Sequence, residues 1–221
     1  MPDTENIELN ELVKSIKAEG CLKSKAVESA LKAVPRHLFV PKHMRDMAYR
    51  DCPLAIGHDQ TISQPSTVIA MTEALQPKKG QKILEIGAGS GWQAGLLGEM
   101  VGPKGHVWSV DVIKELVQIA KQNMKSAKIK NVDVMHNDGS MGLLKHAPFD
   151  RIIVTAACPS IPPNLIEQLK PNGRMVIPLG NIYMQTMTVV TKMANGKIEK
   201  EEIGKFMFVP LVGRHGFKQV R

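Results

Sequence analysis

The strongest constraint on the fold is a regular alternation of two sequence patterns that begins at Lys82. Short apolar runs predict buried strands, and longer runs with an apolar residue every three or four positions predict helices between them. The predicted strands are KILEIG (82–87), HVWSVD (106–111), VDVMH (132–136), FDRIIVTAA (149–157) and GRMVIPLG (173–180), and the predicted helices are WQAGLLGEMVG (92–102), IKELVQIAKQNMKSA (113–127) and PPNLIEQLK (162–170). Strands that alternate with helices are typical of a mostly parallel sheet covered on both faces, so we predict a doubly wound α/β fold.

The segment before this core has a different pattern. Residues 5–33 predict two helices, the first ending at Gly20 and the second capped by Ser24. Residues 35–65 contain four prolines and should be mostly irregular, a long stretch that is usually functional or wrongly assigned. A further helix is predicted over STVIAMTEAL, from residue 66 to residue 75.

The tail predicts two antiparallel strands within residues 184–206, joined by a hairpin turn at Asn195-Gly196. We therefore expect a single domain in three parts. They are an N-terminal helical and loop cap with a substrate-side segment (1–79), a ligand-binding α/β core (80–180) and a C-terminal β segment (181–221).

Composition is that of an ordinary globular chain, with 43% hydrophobic and 23% charged residues. No apolar run is long enough to span a bilayer and no basic-then-apolar leader is present, so we expect a cytoplasmic protein without a membrane partner. Three cysteines lie far apart and include no CxxC pair. This spacing favours reduced thiols over a disulfide framework or a zinc site, and no metal is predicted.

The net charge of +8 raises the question of a nucleic-acid partner. The basic residues are spread along predicted helix surfaces and turns, and only two Trp, two Tyr and five Phe are available to stack on bases. We therefore favour a solvated basic surface and expect no nucleic-acid partner, although the charge also suits an acidic substrate.

A glycine loop, LEIGAGSGW, joins the first predicted strand of the core to the helix after it. Glycines at 87, 89 and 91 let the backbone turn sharply and approach a ligand closely. The pattern is E-x-G-x-G-x-G rather than the dinucleotide G-x-G-x-x-G, and Glu85 would repel a pyrophosphate but suit an amino group. A nucleoside linked to an amino acid, such as S-adenosylmethionine, fits this loop better than NAD. Loop residues predicted to bind it are Glu85, Gly87, Ala88, Gly89, Ser90 and Gly91.

Acidic residues follow the next two strands at the same predicted edge of the sheet. Asp111 ends the second strand of the core, where a carboxylate that accepts hydrogen bonds from ribose hydroxyls belongs, and Val112 follows it. Asp138 and Gly139 follow the third. Each acid alone is more simply read as a helix cap. The glycine loop and these two acids follow three successive strands, and together they predict a methyltransferase-type cofactor site in a Rossmann-like sheet.

Several blocks then resemble one family, the protein-L-isoaspartate (D-aspartate) O-methyltransferases, over nearly the whole chain. The glycine loop indicates only a class I methyltransferase, whereas VPRHLFVP and YRDCPLAIGHDQTISQP specify this family, together with NDGSMG, the block from Pro148 to Gly180, and FVPLVGRHGF. The resemblance implies S-adenosylmethionine as cofactor and S-adenosylhomocysteine as product. It implies isoaspartyl residues of damaged proteins and peptides as substrates, methylated at the α-carboxylate in protein repair by an enzyme expected to be a monomer.

The resemblance also assigns residues at the site. It places Ser63 of the TIS block at the active centre as the catalytic residue, orienting the substrate carboxylate, and Thr61 and Ile62 beside the cofactor. Substrate contacts are expected from Ser63 and from residues in two later segments, one at the end of the strand 149–157 and one in the FVPLVGRHGF block. They are Thr155, Ala156, Val209, Pro210 and Leu211. A second interpretation of Ser63 is open, because it lies two residues before Pro65 and could cap the helix there.

Two other classes of enzyme compete with this interpretation. An RNA or DNA methyltransferase of the same fold would suit the charge, but its Asn/Asp-Pro-Pro-aromatic tetrapeptide is replaced here by Thr155-Ala156-Ala157-Cys158. A small-molecule O-methyltransferase would need a base or a metal, and no cluster of carboxylates and histidines stands out. A binder that keeps the cofactor without turning it over is the third alternative.

Overall fold

The computed structural model describes residues 2–217, which build a seven-stranded sheet and a separate two-stranded hairpin. Strand order in the large sheet is β5-β4-β3-β6-β7-β8-β9. The strands are β1 (Leu54–Gly57), β2 (Gln60–Ile62), β3 (Lys82–Ile86), β4 (His106–Asp111), β5 (Val132–His136), β6 (Phe149–Val154), β7 (Leu169–Gly180), β8 (Gln185–Lys192) and β9 (Ile198–Phe206).

The order of the large sheet places the site. Strands β5, β4, β3, β6 and β7 are parallel, while β8 and β9 add antiparallel strands at one edge. The chain therefore leaves β3 in one direction for β4 and β5 and returns to its other side for β6. Such a reversal opens a crevice beyond the carboxyl ends of the strands, where ligands bind in open α/β sheets. The predicted α/β fold class is confirmed.

Helices cover both faces of the sheet. They are α1 (Pro2–Ala18), α2 (Lys25–Ala33), α3 (Pro65–Leu75), α4 (Trp92–Val101), α5 (Lys114–Ser126) and α6 (Pro163–Gln168). One buried cluster unites the apolar sides of α1 to α5 with one sheet face, and a second cluster packs α6 and the segment around Leu211 on the other. Ser24 caps α2 as predicted, because its hydroxyl accepts a hydrogen bond from Val27 N.

The prediction of a mostly irregular segment from 35 to 65 is wrong. It contains two 3-10 helices, Arg36–Phe39 and Lys42–Met47, followed by the β1–β2 hairpin. The hairpin turn is His58-Asp59, with φ of 54° and 56°, the left-handed pair that a two-residue primed turn needs. Neither residue is the Asn or Gly that signals such a turn in sequence, so the pattern was hidden.

Strand β7 also begins earlier than predicted, at Leu169 instead of Gly173. Leu169 pairs with Phe149 of β6, and an irregularity in the register then absorbs the extra residues before Arg174 pairs with Arg151. Asn172 takes a left-handed φ of 61° within this irregular stretch. Within residues 2–217, no helix has the length and apolar character needed to cross a membrane.

Candidate functional site

A cavity of about 370 Å³ opens at the carboxyl ends of β3, β4 and β6. Its volume lies in the range of small-molecule sites, about 300–1,000 Å³. The walls come from the hairpin tip and the residues after it, the glycine loop, the ends of β4 and β6, and the segment 209–212. Fifteen predicted site residues line it: Thr61, Ile62, Ser63, Gly87, Ala88, Gly89, Ser90, Asp111, Val112, Gly139, Thr155, Ala156, Val209, Pro210 and Leu211.

Hydrogen bonds to neighbouring strands fix the glycine loop. Gly87 N and Ala88 N both donate to Val110 O, at 2.8 and 3.1 Å, and Gly89 N donates to Asp111 Oδ2 at 2.9 Å. In a dinucleotide loop such N–H groups face the pyrophosphate. Here three successive donors are already used within the protein. The geometry therefore favours a ligand without a pyrophosphate, as the spacing predicted.

Asp111 joins the loop to the next strand at the cavity wall. Its side chain lines the cavity although the residue is only 9% exposed, and its Oδ1 accepts a second hydrogen bond from Ile113 N at 2.9 Å. Burial raises the pKa of this carboxyl, and the backbone donors of Ile113 and Gly89 oppose the rise. A carboxylate oxygen has more than one lone pair, so both oxygens can also accept from a ligand hydroxyl.

Glu85 does not line the cavity, which corrects the expectation that its carboxylate meets an amino group of the ligand. The residue is fully buried in β3, where its Oε2 accepts a hydrogen bond from Ser109 Oγ of β4. Burial raises the pKa of Glu85 to about 8. Oε1 has no partner among the described residues. Because side chains alternate along a strand, Glu85 points away from the face that its neighbour Ile86 presents.

Two other predicted cofactor residues, Gly91 and Asp138, also lie outside the cavity lining. Gly91 begins α4 with a φ of 95°, and a Cβ there would stand 2.6 Å from Met124 Cε. Asp138 accepts hydrogen bonds from Ser140 N at 2.9 Å and from Arg214 N at 2.8 Å. Both residues therefore act on the structure around the cavity. Gly91 allows α5 to pack close to the glycine loop, and Asp138 holds the C-terminal segment at Arg214.

Ser63 lies between β2 and α3, at the cavity wall. The alternative interpretation of Ser63 as a helix cap is wrong, because the cap position of α3 is Gln64. The first turn is instead capped from a distance: Asp51 Oδ1 accepts from Ser66 N and Asp51 Oδ2 accepts from Gln64 Nε2, both at 2.8 Å. The carbonyl of Ser63 is held by Arg36. Within residues 2–217, the Ser63 hydroxyl has no hydrogen-bond partner.

On the opposite wall, Thr155 ties the end of β6 to the glycine loop. Its hydroxyl donates to Gly87 O at 2.7 Å, an interaction shared with Ile86 O at 3.1 Å. The segment 209–212 is attached next to it, since Ala157 N donates to Val209 O and Leu211 N donates to Ala157 O, both at 2.8 Å. Backbone pairing therefore builds this wall, and the Thr155 hydroxyl is occupied.

The cavity also contains residues that were not predicted. The hairpin tip contributes His58, Asp59 and Gln60, and helices α3 and α4 contribute Val68, Met71, Trp92 and Gln93. A primed turn predicted at His58-Asp59 would have marked the hairpin tip as a candidate wall of the site. The helix residues could have been found only from the packing of α3 on α4.

Unpartnered polar atoms show what this cavity can accept. Ser90 Oγ and Gln93 Oε1 are buried and have no hydrogen-bond partner among the described residues, while Gln93 Nε2 is held by Thr72 Oγ1 at 3.0 Å. Leaving a buried polar atom unpaired costs about 1–3 kcal/mol, so a ligand with polar groups would be stabilised here. With Asp111, these atoms fit a nucleoside linked to an amino acid.

The sequence matches the profile of the protein-L-isoaspartate(D-aspartate) O-methyltransferase (PCMT) family over residues 7–216. Protein-L-isoaspartate O-methyltransferase from Methanococcoides burtonii is 48% identical over 206 residues, covering 93% of this chain and 100% of the relative. The enzyme of the same name from Hyperthermus butylicus is 47% identical, covering 94% of this chain and 90% of the relative.

Solved structures agree with the sequence matches. A beta-aspartate methyltransferase (PCMT) from Plasmodium falciparum, in complex with S-adenosyl-L-homocysteine, has a TM-score of 0.81 and 25% identity and covers 91% of this chain and 97% of its own. A protein-L-isoaspartate O-methyltransferase has a TM-score of 0.83 and 28% identity, covering 94% of this chain and 67% of its own. The chain therefore belongs to the protein-L-isoaspartate (D-aspartate) O-methyltransferase family of S-adenosylmethionine-dependent protein carboxyl methyltransferases.

Proposed function

We propose that this chain methylates the α-carboxylate of isoaspartyl residues in damaged proteins and peptides, with Ser63 orienting the carboxylate. The observation that carries the proposal is the unpartnered hydroxyl of Ser63 at the wall of a cavity that the glycine loop also lines. A free hydroxyl at that place can donate to a carboxylate oxygen. Within residues 2–217 the hydroxyl has neither the histidine nor the acid partner that a serine nucleophile needs, so we assign it the role of orienting the substrate.

The cofactor is assigned to the half of the cavity formed by the glycine loop and the β4 end. Asp111 would accept hydrogen bonds from the ribose hydroxyls, and Gly139 would border the base. Ser90 and Gln93, whose buried side-chain oxygens have no partner in the described part of the chain, would meet the polar groups of the amino-acid end. When bound, S-adenosylmethionine supplies an electrophilic methyl group on a sulfonium.

The chemistry of the substrate explains why the site needs few catalytic groups. A carboxyl group has an unperturbed pKa near 4, so the substrate is already an ionised nucleophile at neutral pH and requires no general base. The protein then contributes proximity, alignment and exclusion of water, which can supply most of the rate. Ser63 on one side, and Thr155, Ala156, Val209, Pro210 and Leu211 on the other, are assigned to this alignment, while Thr61 and Ile62 are assigned to the cofactor.

Replacing Ser63 by alanine tests the assigned role. Loss of one hydrogen bond to a charged group costs about 1.5–3 kcal/mol, so we expect kcat to fall by about 10- to 100-fold. The Kd of S-adenosylhomocysteine, measured by calorimetry, should change little. Ser29→Ala, on the exposed surface of α2, is the matched control. Equal losses of kcat and cofactor affinity would instead make Ser63 a cofactor or folding residue.

A labelling experiment separates the proposed protein substrate from nucleic acid, the alternative suggested by the charge of +8. Alkali-aged protein and total RNA are each incubated with the enzyme and S-adenosylmethionine labelled at the methyl group. We expect label on the protein, released as methanol by mild base, because carboxyl methyl esters hydrolyse readily. Base-stable label on the RNA alone would favour the alternative and contradict the proposed function.

We also propose that the chain acts as a monomer, because residues of one chain form every wall of the cavity described above. Cys21, Cys52 and Cys158 are free thiols, which supports the expected location in the reducing cytoplasm. Sedimentation at the protein concentration of the assay tests the first point. Activity confined to a dimer fraction would contradict it.

A further inference from the structure

Arg36 is a fully buried cation directly behind the proposed active site. It follows Pro35 in the first 3-10 helix and is only 1% exposed, and no carboxylate within residues 2–217 forms an ion pair with it. Burying a charge is costly unless the charge is paired or hydrogen-bonded, so the partners of this guanidinium show which parts of the chain it holds in place.

The two terminal nitrogens of the guanidinium donate to backbone carbonyls from two separate stretches of chain, while Nε is buried and has no partner among the described residues. Nη1 donates to Ala48 O at 2.8 Å, and Nη2 donates both to Cys52 O and to Ser63 O at 3.0 Å. One nitrogen thus bridges the segment 48–52 and the carbonyl of Ser63. The guanidinium also lies over the ring of Trp92, 5.3 Å from its centroid, where a cation is attracted by the ring face.

The same segment reaches the active site a second time. Asp51 lies in the sequence between Ala48 and Cys52, whose carbonyls Arg36 holds. Its carboxylate accepts hydrogen bonds from Gln64 Nε2 and from Ser66 N. Residues 63–66 are therefore fixed on one side by Arg36 and on the other by Asp51. Because the Ser63 hydroxyl has no partner of its own among residues 2–217, its direction depends on this held backbone.

We propose that Arg36 is a positioning residue that fixes the backbone of Ser63 so that its hydroxyl meets the substrate carboxylate. The planar guanidinium presents several donors in a rigid fork, whereas a lysine ammonium is a point charge on a flexible stem. Lysine at this position would keep the charge but could not reproduce the separate hydrogen bonds from Nη1 to Ala48 O and from Nη2 to Cys52 O and Ser63 O. The proposal deepens the proposed function and rests on it.

A double-mutant cycle tests the proposal on the full-length enzyme with an isoaspartyl peptide. A small misplacement of a catalytic group can cost up to about 100-fold in rate, so we expect Arg36→Lys to lower kcat by about 10- to 100-fold. The Kd of S-adenosylhomocysteine should stay nearly constant. Combined with Ser63→Ala, the Arg36 change should add little further loss, because the hydroxyl it positions is gone. Arg45→Lys, an exposed arginine nearby, is the control.

The opposite results overturn the proposal. Wild-type kcat in Arg36→Lys would show that the fork is not needed, and losses that multiply with Ser63→Ala would assign Arg36 to general stability. If circular dichroism shows that Arg36→Lys is unfolded, Arg36→Gln, which removes the buried charge and keeps two amide donors, replaces it under the same criteria. Failure of both variants to fold also assigns Arg36 to stability.

Hydrogen exchange keeps this test separate from the proposed function. Arg36→Lys should speed exchange at the amides of Ser66 and Val68, which donate to Asp51 Oδ1 and to Gln64 O, with exchange in β3 unchanged, whatever the substrate proves to be. Absence of methyl transfer by the wild-type enzyme would contradict the proposed function alone. Unchanged exchange at these two amides would contradict the role of Arg36 alone.

Discussion

Glu85 illustrates how a residue beside the site can matter without contacting the ligand. Its carboxyl is fully buried and its pKa is raised to about 8 by burial, with the hydrogen bond from Ser109 acting in the opposite direction. At neutral pH the folded protein therefore holds a proton on Glu85 that the unfolded chain, with a pKa near 4.5, releases. Glu85, which its place in the glycine-loop motif assigns to the ligand, instead forms a hydrogen bond inside the sheet.

This proton gives a pH dependence with a definite sign. The folded state binds more protons than the unfolded state between about pH 4.5 and pH 8, so its stability falls as the pH rises through that window. The slope from one such group is at most about 1.4 kcal/mol per pH unit. We expect Glu85→Gln to flatten this part of the curve of unfolding free energy against pH. Parallel curves for wild type and variant would refute the raised pKa, and Glu202→Gln, on the exposed face of β9, is the control.

Asp111 is the residue on which cofactor affinity should depend most. Its carboxylate both holds Gly89 N and faces the cavity, so its loss affects the loop and the ligand together. We expect Asp111→Ala to raise the Kd of S-adenosylhomocysteine by about tenfold or more, from one or two lost charge-assisted hydrogen bonds. Calorimetry measures this directly, with exposed Asp46→Ala as control. An unchanged Kd would remove the role assigned to Asp111.

At the scale of elements, the glycine loop depends on close approaches, and the approach at Gly87 is the one at the cavity wall. Gly87 has a φ of 99°, and a Cβ there would collide with Thr155 Oγ1 of the β6 end. Gly89, with a φ of 51°, would bring its Cβ no nearer than 3.5 Å to Ile56 Cδ1, an ordinary contact. The two glycines of one loop therefore differ in how much a methyl group should disturb them.

We expect Gly87→Ala to lower the free energy of unfolding by about 1–3 kcal/mol, the cost of a strained backbone plus displacement of Thr155. Gly89→Ala should lower it less, by about 1 kcal/mol, because a Cβ there carries only the cost of the left-handed conformation and displaces no neighbour. Urea denaturation of both variants measures the difference. Equal losses would show that the approach to Thr155 does not limit the loop.

The elements that sequence predicts well are those with a strong period or a specific cap. All five core strands, the Asn195-Gly196 hairpin and the Ser24 cap follow from local pattern. The start of α3 was also predicted to within one residue, but the contact that caps its first turn was not, because Asp51 accepts from Ser66 N across 15 residues of chain and no local pattern encodes that contact. The His58-Asp59 turn was missed for a different reason: its conformation is one that these residue types adopt only occasionally.

The residues of the site likewise divide into those that local sequence predicts and those that it does not. Residues that follow strands or form the glycine loop could be predicted, since parallel strands end at one edge of a sheet. Glu85 could not be assigned correctly, because its side chain direction depends on the strand register beneath the loop. The role of Arg36 could not be predicted from the sequence, because its partners are backbone carbonyls, which every residue type has.

At the scale of the molecule, topology brings these parts together. The reversal of strand order at β3 creates the crevice, the N-terminal cap supplies Ser63 and its supports, and the tail closes the other wall through Ala157. The half assigned to the cofactor therefore comes mainly from the core, and the half assigned to the substrate comes from Ser63, the end of β6 and the tail. This division predicts that changes at Ser63 alter turnover and that changes in the glycine loop or at Asp111 alter cofactor affinity.

Methyl transfer to paired synthetic peptides tests the central claim most directly. The two peptides are identical except that one position holds isoaspartate in the first and aspartate in the second. We predict base-labile label on the isoaspartyl peptide alone, because only there does the α-carboxylate lie beyond the rerouted backbone, free to face Ser63. Equal labelling of both peptides, or of neither while S-adenosylhomocysteine binds normally, would contradict the account.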